Sequence, residues 1–180
     1  MRSISELPFL PAGLCVNIEP LSSLDEVLPL LAGCDLPVAD LSSSPSPPYF
    51  FGVRAAGALV GVVGLEIFQS VGLLRSLAIS PDFRGRGHAR DLVRFVERFA
   101  AARGVELIFL LTTTAEAWFT ALAYTAISRQ QAPEAIRATR QFSTLCPSTS
   151  ALMSKTVATG TVPSSAQLPS AGIAKSNESR

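Results

Sequence analysis

Apolar positions recur along this chain with two periods, and the points where the period changes mark its elements. Leu14 to Glu19 reads as a short strand. Ser22 or Ser23 then caps a helix whose early acids, Asp25 and Glu26, suit the positive end of its dipole. Leu24, Val27, Leu28 and Leu31 fall on the face of that helix expected to be buried. Tyr49 to Arg54 and Ala58 to Phe68 are β-rich runs joined by Ala-Ala-Gly, which predicts a hairpin. Leu73 to Ser80 supplies another strand, ended by Pro81. Beyond a turn rich in Gly and Arg, residues Ala89, Leu92, Val93, Val96, Phe99 and Ala100 keep helical spacing and predict a helix from about Gly87 to Arg103, which Gly104 terminates. Glu106 to Leu111 is apolar after its first residue, as expected for a strand in the centre of a covered sheet. A short helix from Thr114 through Leu122 follows. The stretch Thr125 to Val157 reads as a strand, a helical insertion around Pro133 to Phe142, and a last strand near Ala151 to Val157.

This order describes an α+β domain built on one mixed sheet, with residues 1–157 as the domain. Residues 158–180 are rich in Ser, Gly and Pro, contain no aromatic residue and hold no sustained period, so they are expected to be a disordered tail. Leu41 to Pro48, LSSSPSPP, is a loop. No internal repeat is visible.

Composition narrows the function classes. With 180 residues and 48% apolar content the chain can fill a core. Charged residues make up 16%, below the roughly 25% typical of soluble domains. The formal charge of +1 gives no global attraction to nucleic acid or anionic lipid, so any anion site must be local. The longest apolar or Gly run, Ala55 to Leu65, is far short of the roughly 20 residues that cross a bilayer. Glu6, Pro8 and Pro11 spoil a signal-like N-terminus, and a cytoplasmic location is expected. Cys15, Cys34 and Cys146 are odd in number and far apart, which suits buried thiols rather than a disulfide framework or a zinc site, so no metal is expected.

The chemistry concentrates between Arg75 and Ala89, where a Gly- and Arg-rich loop links a strand to a helix. Such a loop is an anion cradle: main-chain N–H groups at a helix N-terminus are free to donate, and Gly85 and Gly87 carry no side chain to block close approach. Arg84 and Arg86 can add charge-assisted contacts, with Arg90 on the first turn. A pyrophosphate would suit it. The Gly-Lys-Ser/Thr ending of a P-loop is missing, and Arg90 stands where a dinucleotide fingerprint needs its third Gly. What remains is Arg84-x-x-Gly87-x-Ala89 after an apolar strand ending in Ser-Pro.

In these residues, Leu74 to Ala89 with the following helix and strand, the chain resembles the acyl-CoA-binding core of the GNAT superfamily of N-acetyltransferases, over roughly Leu14 to Val157. The resemblance implies the GNAT fold, with a mostly antiparallel mixed sheet and a splay after the fourth strand, and acetyl-CoA as co-substrate. By position, Leu77, Ala78 and Ile79 would face pantetheine, and Arg84, Gly85, Arg86, Gly87, His88 and Ala89 would hold phosphates. Thr112 stands where many members have an Asn that contacts the cofactor amide. A narrower resemblance, in Leu74-Arg-Ser, Leu110-Leu-Thr-Thr-Thr and Ala135 to Pro147, is to N-acetyltransferases encoded with arsenic-resistance genes. It implies a small amine acceptor, amino-acid-like and in that setting an arsenical or phosphinate antimetabolite.

Direct transfer requires donors to a developing oxyanion, a proton acceptor for the amine and a proton source for the departing thiolate. The main-chain N–H of Leu77 or a neighbour, exposed by a strand bulge, is the expected oxyanion donor. Glu66 is the first candidate for a base, acting directly or through water; alternatively it is a strand-end carboxylate facing solvent. Arg75 could contact an acceptor carboxylate in a bidentate fashion, or pair with a local acid. Arg137 and Arg140, in the helical insertion, are further candidates for acceptor binding or solvated-face arginines. Family members often carry a Tyr acid where this chain has Phe119, and Tyr124 is expected in the core. An acyl-CoA-binding sensor and a protein N-acetyltransferase are therefore competing readings. A monomer or homodimer is expected.

Overall fold

The computed structural model describes residues 17–41 and 48–157. The N-terminal reading, Cys15, the interior of the Ser- and Pro-rich loop and the tail lie outside the described residues. The elements are β1 (Ile18–Leu21), α1 (Leu24–Ala32), β2 (Tyr49–Ala55), β3 (Ala58–Phe68), β4 (Val71–Ile79), α2 (His88–Ala101), β5 (Leu107–Thr112), α3 (Glu116–Thr120), β6 (Thr125–Ile127), α4 (Glu134–Arg137) and β7 (Ala151–Thr156).

Local chemistry accounts for several boundaries. Ser23 caps α1 by accepting from the Asp25 N–H at 3.1 Å. Ala56 and Gly57, at φ +49° and +84°, turn the β2–β3 hairpin, and Gly104 at +80° follows α2. Several ends move by a few residues. β1 runs to Leu21, and α3 begins at Glu116 and stops at Thr120. The insertion divides into α4 and a wide π-turn over Gln141–Leu145.

The strands form one sheet in the order β1-β2-β3-β4-β5-β7-β6. Pairing is antiparallel except between β4 and β5, which α2 joins by a crossover. Side chains alternate across the pleat, so the two faces bury different helices. Leu92, Val93, Val96 and Ala100 of α2 pack on Phe51, Val53, Val63 and Leu65. On the opposite face, Val27 and Leu31 of α1 pack with Phe50, Val62 and Ala78, joined by Leu41 from the end of the following segment. Beside that cluster, Ile136 of α4 packs on Leu73, Phe109 and Leu152. The α1 face thus carries two separate covers, and between them lies the site.

Candidate active site

Two irregularities open the sheet at β4. Opposite β3 the register runs Val62↔Ala78 and then Gly64↔Arg75, so Ser76 and Leu77 together face Val63 in a bulge, with Ser76 at φ +54°. On its other edge β4 pairs with β5 only from Val71↔Leu107 to Leu73↔Phe109. Beyond that point β5 is paired with β7 alone, out to Thr112↔Ala151. The two central strands therefore diverge, and a cleft of about 620 Å³ fills the gap. Leu74 to Ile79 form one wall and Leu110 to Ala115 the other; Cys34 to Pro37 and Gln141 to Ser150 supply further lining residues.

The cradle lies at one end of this cleft. Every main-chain N–H from Gly85 through Arg90 lacks an acceptor among the described residues, whereas the Asp91 N–H already donates to the Gly87 carbonyl at 3.1 Å. Gly85 and Gly87 hold φ of +75° and +91°, which turns those amides outward in succession. Arg84 is anchored from below: its Nε donates to the Ile79 carbonyl at 3.1 Å, and Nη2 lies 3.8 Å from Cys34 Sγ. Arg86 lies over the Phe83 ring and donates to the Asp82 carbonyl. His88 Nδ1 is buried without a partner. An array of free amides at the N-terminus of a long helix, flanked by arginines, matches a diphosphate in charge and donor geometry.

The expected site residues distribute as follows. Leu77, Ala78, Ile79, Arg84, Ala89 and Thr112 all line the cleft, and Thr112 Oγ1 accepts from the Ala115 N–H at 3.0 Å. Arg75 also lines it, but its guanidinium is engaged. Nη1 and Nη2 clasp the two Asp40 oxygens at 2.6 and 2.8 Å, and Nη1 donates to Glu66 Oε1 at 2.6 Å. All three side chains are buried, at 4%, 4% and 8% exposure. Of the two roles open to Arg75, pairing with acids is the one the structure displays. Burial alone would raise the Asp40 carboxyl, but the hydrogen bond and charge of Arg75, with help from Arg140, hold it below the usual carboxylate range. Burial likewise would lower Arg75, and the hydrogen bonds to Asp40 and Glu66 reverse that.

Glu66 stands behind Arg75 and does not line the cleft, and it is buried rather than solvent-facing. Arg137 is exposed and lies outside the lining. Gly64 lets the Arg75 stem lie flat across the sheet: a Cβ there would meet Arg75 Cγ at 3.3 Å and the Phe50 ring at 3.0 Å.

Phe119 lines the cleft, edge-on to Trp118 and Tyr124. The Tyr124 hydroxyl is buried without a hydrogen-bond partner, and burial together with the Glu97 charge pushes it far above the usual phenol range. It cannot serve as an acid in the cleft. Asp40, Gln141 and Ser150 carry no site role in the sequence reading, and Cys34 and Cys146, expected as buried thiols, are half-buried and line the cleft. The signal for Asp40 was a lone acid inside the apolar stretch Leu36 to Leu41; Gln141 and Ser150 carry no local signature. Among the described residues no group of His, Cys, Asp and Glu is placed to hold a metal ion, and no helix is long and apolar enough to cross a membrane.

Comparison with known proteins follows the same lines. A family model described as the acetyltransferase (GNAT) family matches residues 21–124. An amino-acid acetyltransferase of Ralstonia nicotianae is 35% identical over 65 residues, which is 35% of this chain but only 14% of that protein's length. The structure of N-acetylglutamate synthase from Neisseria gonorrhoeae, complexed with coenzyme A and N-acetyl-glutamate, superposes with a TM-score of 0.68 at 19% identity, over 82% of this chain and 36% of that one. The ribosomal-protein-S18-alanine N-acetyltransferase of Escherichia coli gives 0.59 at 16% identity, over 78% and 93%. At these identities the structural likenesses establish the fold.

Proposed function

The chain belongs to the GNAT family of acetyltransferases, and on that premise we propose that it transfers the acetyl group of acetyl-CoA to the amine of a small, amino-acid-like acceptor. One observation carries the reading: the run of free amides from Gly85 through Arg90 opens at one end of a cleft whose walls are diverging strands. The amides and Arg84 would hold the cofactor diphosphate, and Leu77, Ala78, Ile79 and Thr112 would line the path of its acyl arm. The bulge leaves Leu77 without a register partner on β3 or β5, so its main-chain N–H is the donor we assign to the thioester carbonyl oxygen. The likeness to an amino-acid acetyltransferase and to a synthase holding N-acetyl-glutamate supports an acceptor of amino-acid shape.

The acceptor needs little help to lose its proton, because an α-amino group with an ordinary pKa of about 7.7 to 8.0 is partly neutral near pH 7. Glu66 acts through Arg75, whose guanidinium it and Asp40 hold against the cleft wall. The motifs shared with N-acetyltransferases encoded with arsenic-resistance genes extend the proposal to an arsenical or phosphinate antimetabolite as acceptor, and so to resistance. A second reading, an acyl-CoA-binding sensor with little turnover, draws on Phe119, which lines the cleft where the family often has an acidic Tyr.

Thiol release from acetyl-CoA, followed across a panel of amino acids, phosphinate analogues and peptides, separates the readings. Acceptor-dependent release with an N-acetylated small product is expected. Tight coenzyme A binding with no release from any acceptor would establish the sensor instead, and release with peptides alone would make the substrate a protein.

A further inference from the structure

Buried polar atoms in folded proteins are almost always hydrogen-bonded, so each that is not asks for an explanation. Among the described residues the side-chain atoms of this kind are His88 Nδ1, Tyr124 Oη, Arg129 Nη1, Gln141 Oε1 and Ser150 Oγ. His88 belongs to the cradle, and Tyr124 is packed against Phe119. The other three share one stretch, the connection from β6 to β7. Gln141 and Ser150 are 9% and 4% exposed, and both line the cleft.

The electrostatics of this end of the cleft are set by few groups. Burial raises the Cys146 thiol, and that thiol also senses a hydrogen bond from Gln141 and the charges of Arg129, Arg75 and Asp40. Asp40 in turn senses Arg140. Gln141 therefore lies in the same region of the cleft wall as Arg75 and near Asp40. Two arginines, Arg129 and Arg75, act on Cys146 against one carboxylate, Asp40, so the field at this lining residue is positive on balance. A carboxamide oxygen can only accept, so Gln141 calls for an N–H. A serine hydroxyl can donate, and under a positive excess its natural partner is an anion.

We infer that Gln141 and Ser150 recognise the acceptor's polar head, Gln141 Oε1 accepting from its amine and the Ser150 hydroxyl donating to an anionic group beside that amine. The acceptor is thus a small molecule that carries both an amine and a carboxylate, phosphinate or similar oxyanion. Simple alkylamines and polyamines, which bring positive charge alone, are excluded. This rests on the acetyl-transfer reading above and deepens it: selectivity comes from the β6–β7 connection, and Arg75 contributes field rather than a free clamp.

The test uses the full chain and steady-state kinetics at saturating acetyl-CoA, with amino acids, their carboxamides and simple alkylamines as acceptors. Wild type is expected to favour acceptors with a free oxyanion over their carboxamides. Gln141→Met and Ser150→Ala should each raise the acceptor KM roughly tenfold, with the KM for acetyl-CoA unchanged. Ser150→Ala should also narrow the preference for the oxyanion, and Ser150→Thr should restore it.

Thermal unfolding supplies a second readout. In Ser150→Ala, replacing an unbonded buried hydroxyl by a hydrogen should leave the melting temperature of the free protein unchanged or higher, so acceptor binding and stability move apart. Unchanged acceptor KM in both variants, or a KM rise in Ser150→Ala matched by a lower melting temperature, would overturn the inference. If wild type binds coenzyme A but acetylates nothing in the panel, the transfer reading fails on its own. In that event calorimetric titration of the same amino acids into the coenzyme A complex reads the subsite directly: weaker binding to Gln141→Met supports it, and equal binding refutes it.

Discussion

Replacing Arg75 by Met tests the electrostatic frame of the cleft with the largest expected signal. The substitution keeps the stem that lies across Gly64 but removes the guanidinium, leaving Asp40 and Glu66 buried without their shared cation. Removing one member of a buried ion cluster costs about 3–5 kcal/mol, because the remaining charges stay desolvated and unpaired. For a domain of this size each kcal/mol lowers the melting temperature by roughly 2–4 °C, so a fall of about 6–20 °C is expected near pH 7. The pH dependence fixes the cause. In the native protein the Asp40 carboxyl is held below its ordinary value of 3.8, so its contribution to stability is present above that pH and is lost as pH falls through the lowered folded value. Without Arg75, burial is the largest influence on Asp40 and is opposed by a main-chain hydrogen bond and the charge of Arg140; its folded value moves upward, and acidification lets it take up a proton and relieves the strain. The gap between wild type and Arg75→Met, measured by calorimetry or circular dichroism from pH 7 to pH 4, should therefore narrow as pH falls. Adding Asp40→Asn to the variant should recover part of the loss. A fall of less than about 2 °C at pH 7, or a gap that widens on acidification, would refute the reasoning.

Other expectations are more local. Gly87→Ala, at φ +91°, should lose about 1–2 kcal/mol of stability to backbone strain, and Gly87→Glu should in addition put a carboxylate into the cradle and weaken coenzyme A binding more than Arg84→Ala does, read by calorimetry. Phe119→Tyr places a hydroxyl on a ring that lines the cleft and should raise kcat with the acceptor KM unchanged; a lower kcat would mean that the departing thiolate already finds its proton elsewhere. Burial keeps the Cys146 thiol protonated beyond the usual thiol range, so alkylation by iodoacetamide at pH 8 should be slower there than for a free cysteine; faster labelling, read by mass spectrometry, would contradict that environment.

Local chemistry made some of this legible in the sequence. Gly85, Gly87 and Gly104 mark positions where the chain needs a positive φ, and the amphipathic spacing of Leu92, Val93, Val96 and Ala100 identified α2 and its buried face. The splay came from resemblance rather than from periodicity, since Leu73 to Ile79 reads as an unbroken strand although its pairing to β5 stops at Leu73. Asp40 meets Arg75 across 35 positions of sequence, and no window of local pattern contains both. Gln141 and Ser150 matter because the chain folds back over the sheet between α4 and β7. Their unpaired oxygens are a property of that packing and leave no trace in spacing.

A crystal structure with saturating coenzyme A tests most directly whether the main chain between Ser80 and Arg90 grips the cofactor. The diphosphate is expected within hydrogen-bonding distance of the Gly85 to Arg90 amides, with the pantetheine arm running between β4 and β5. A structure with that bend empty and coenzyme A bound elsewhere would contradict it.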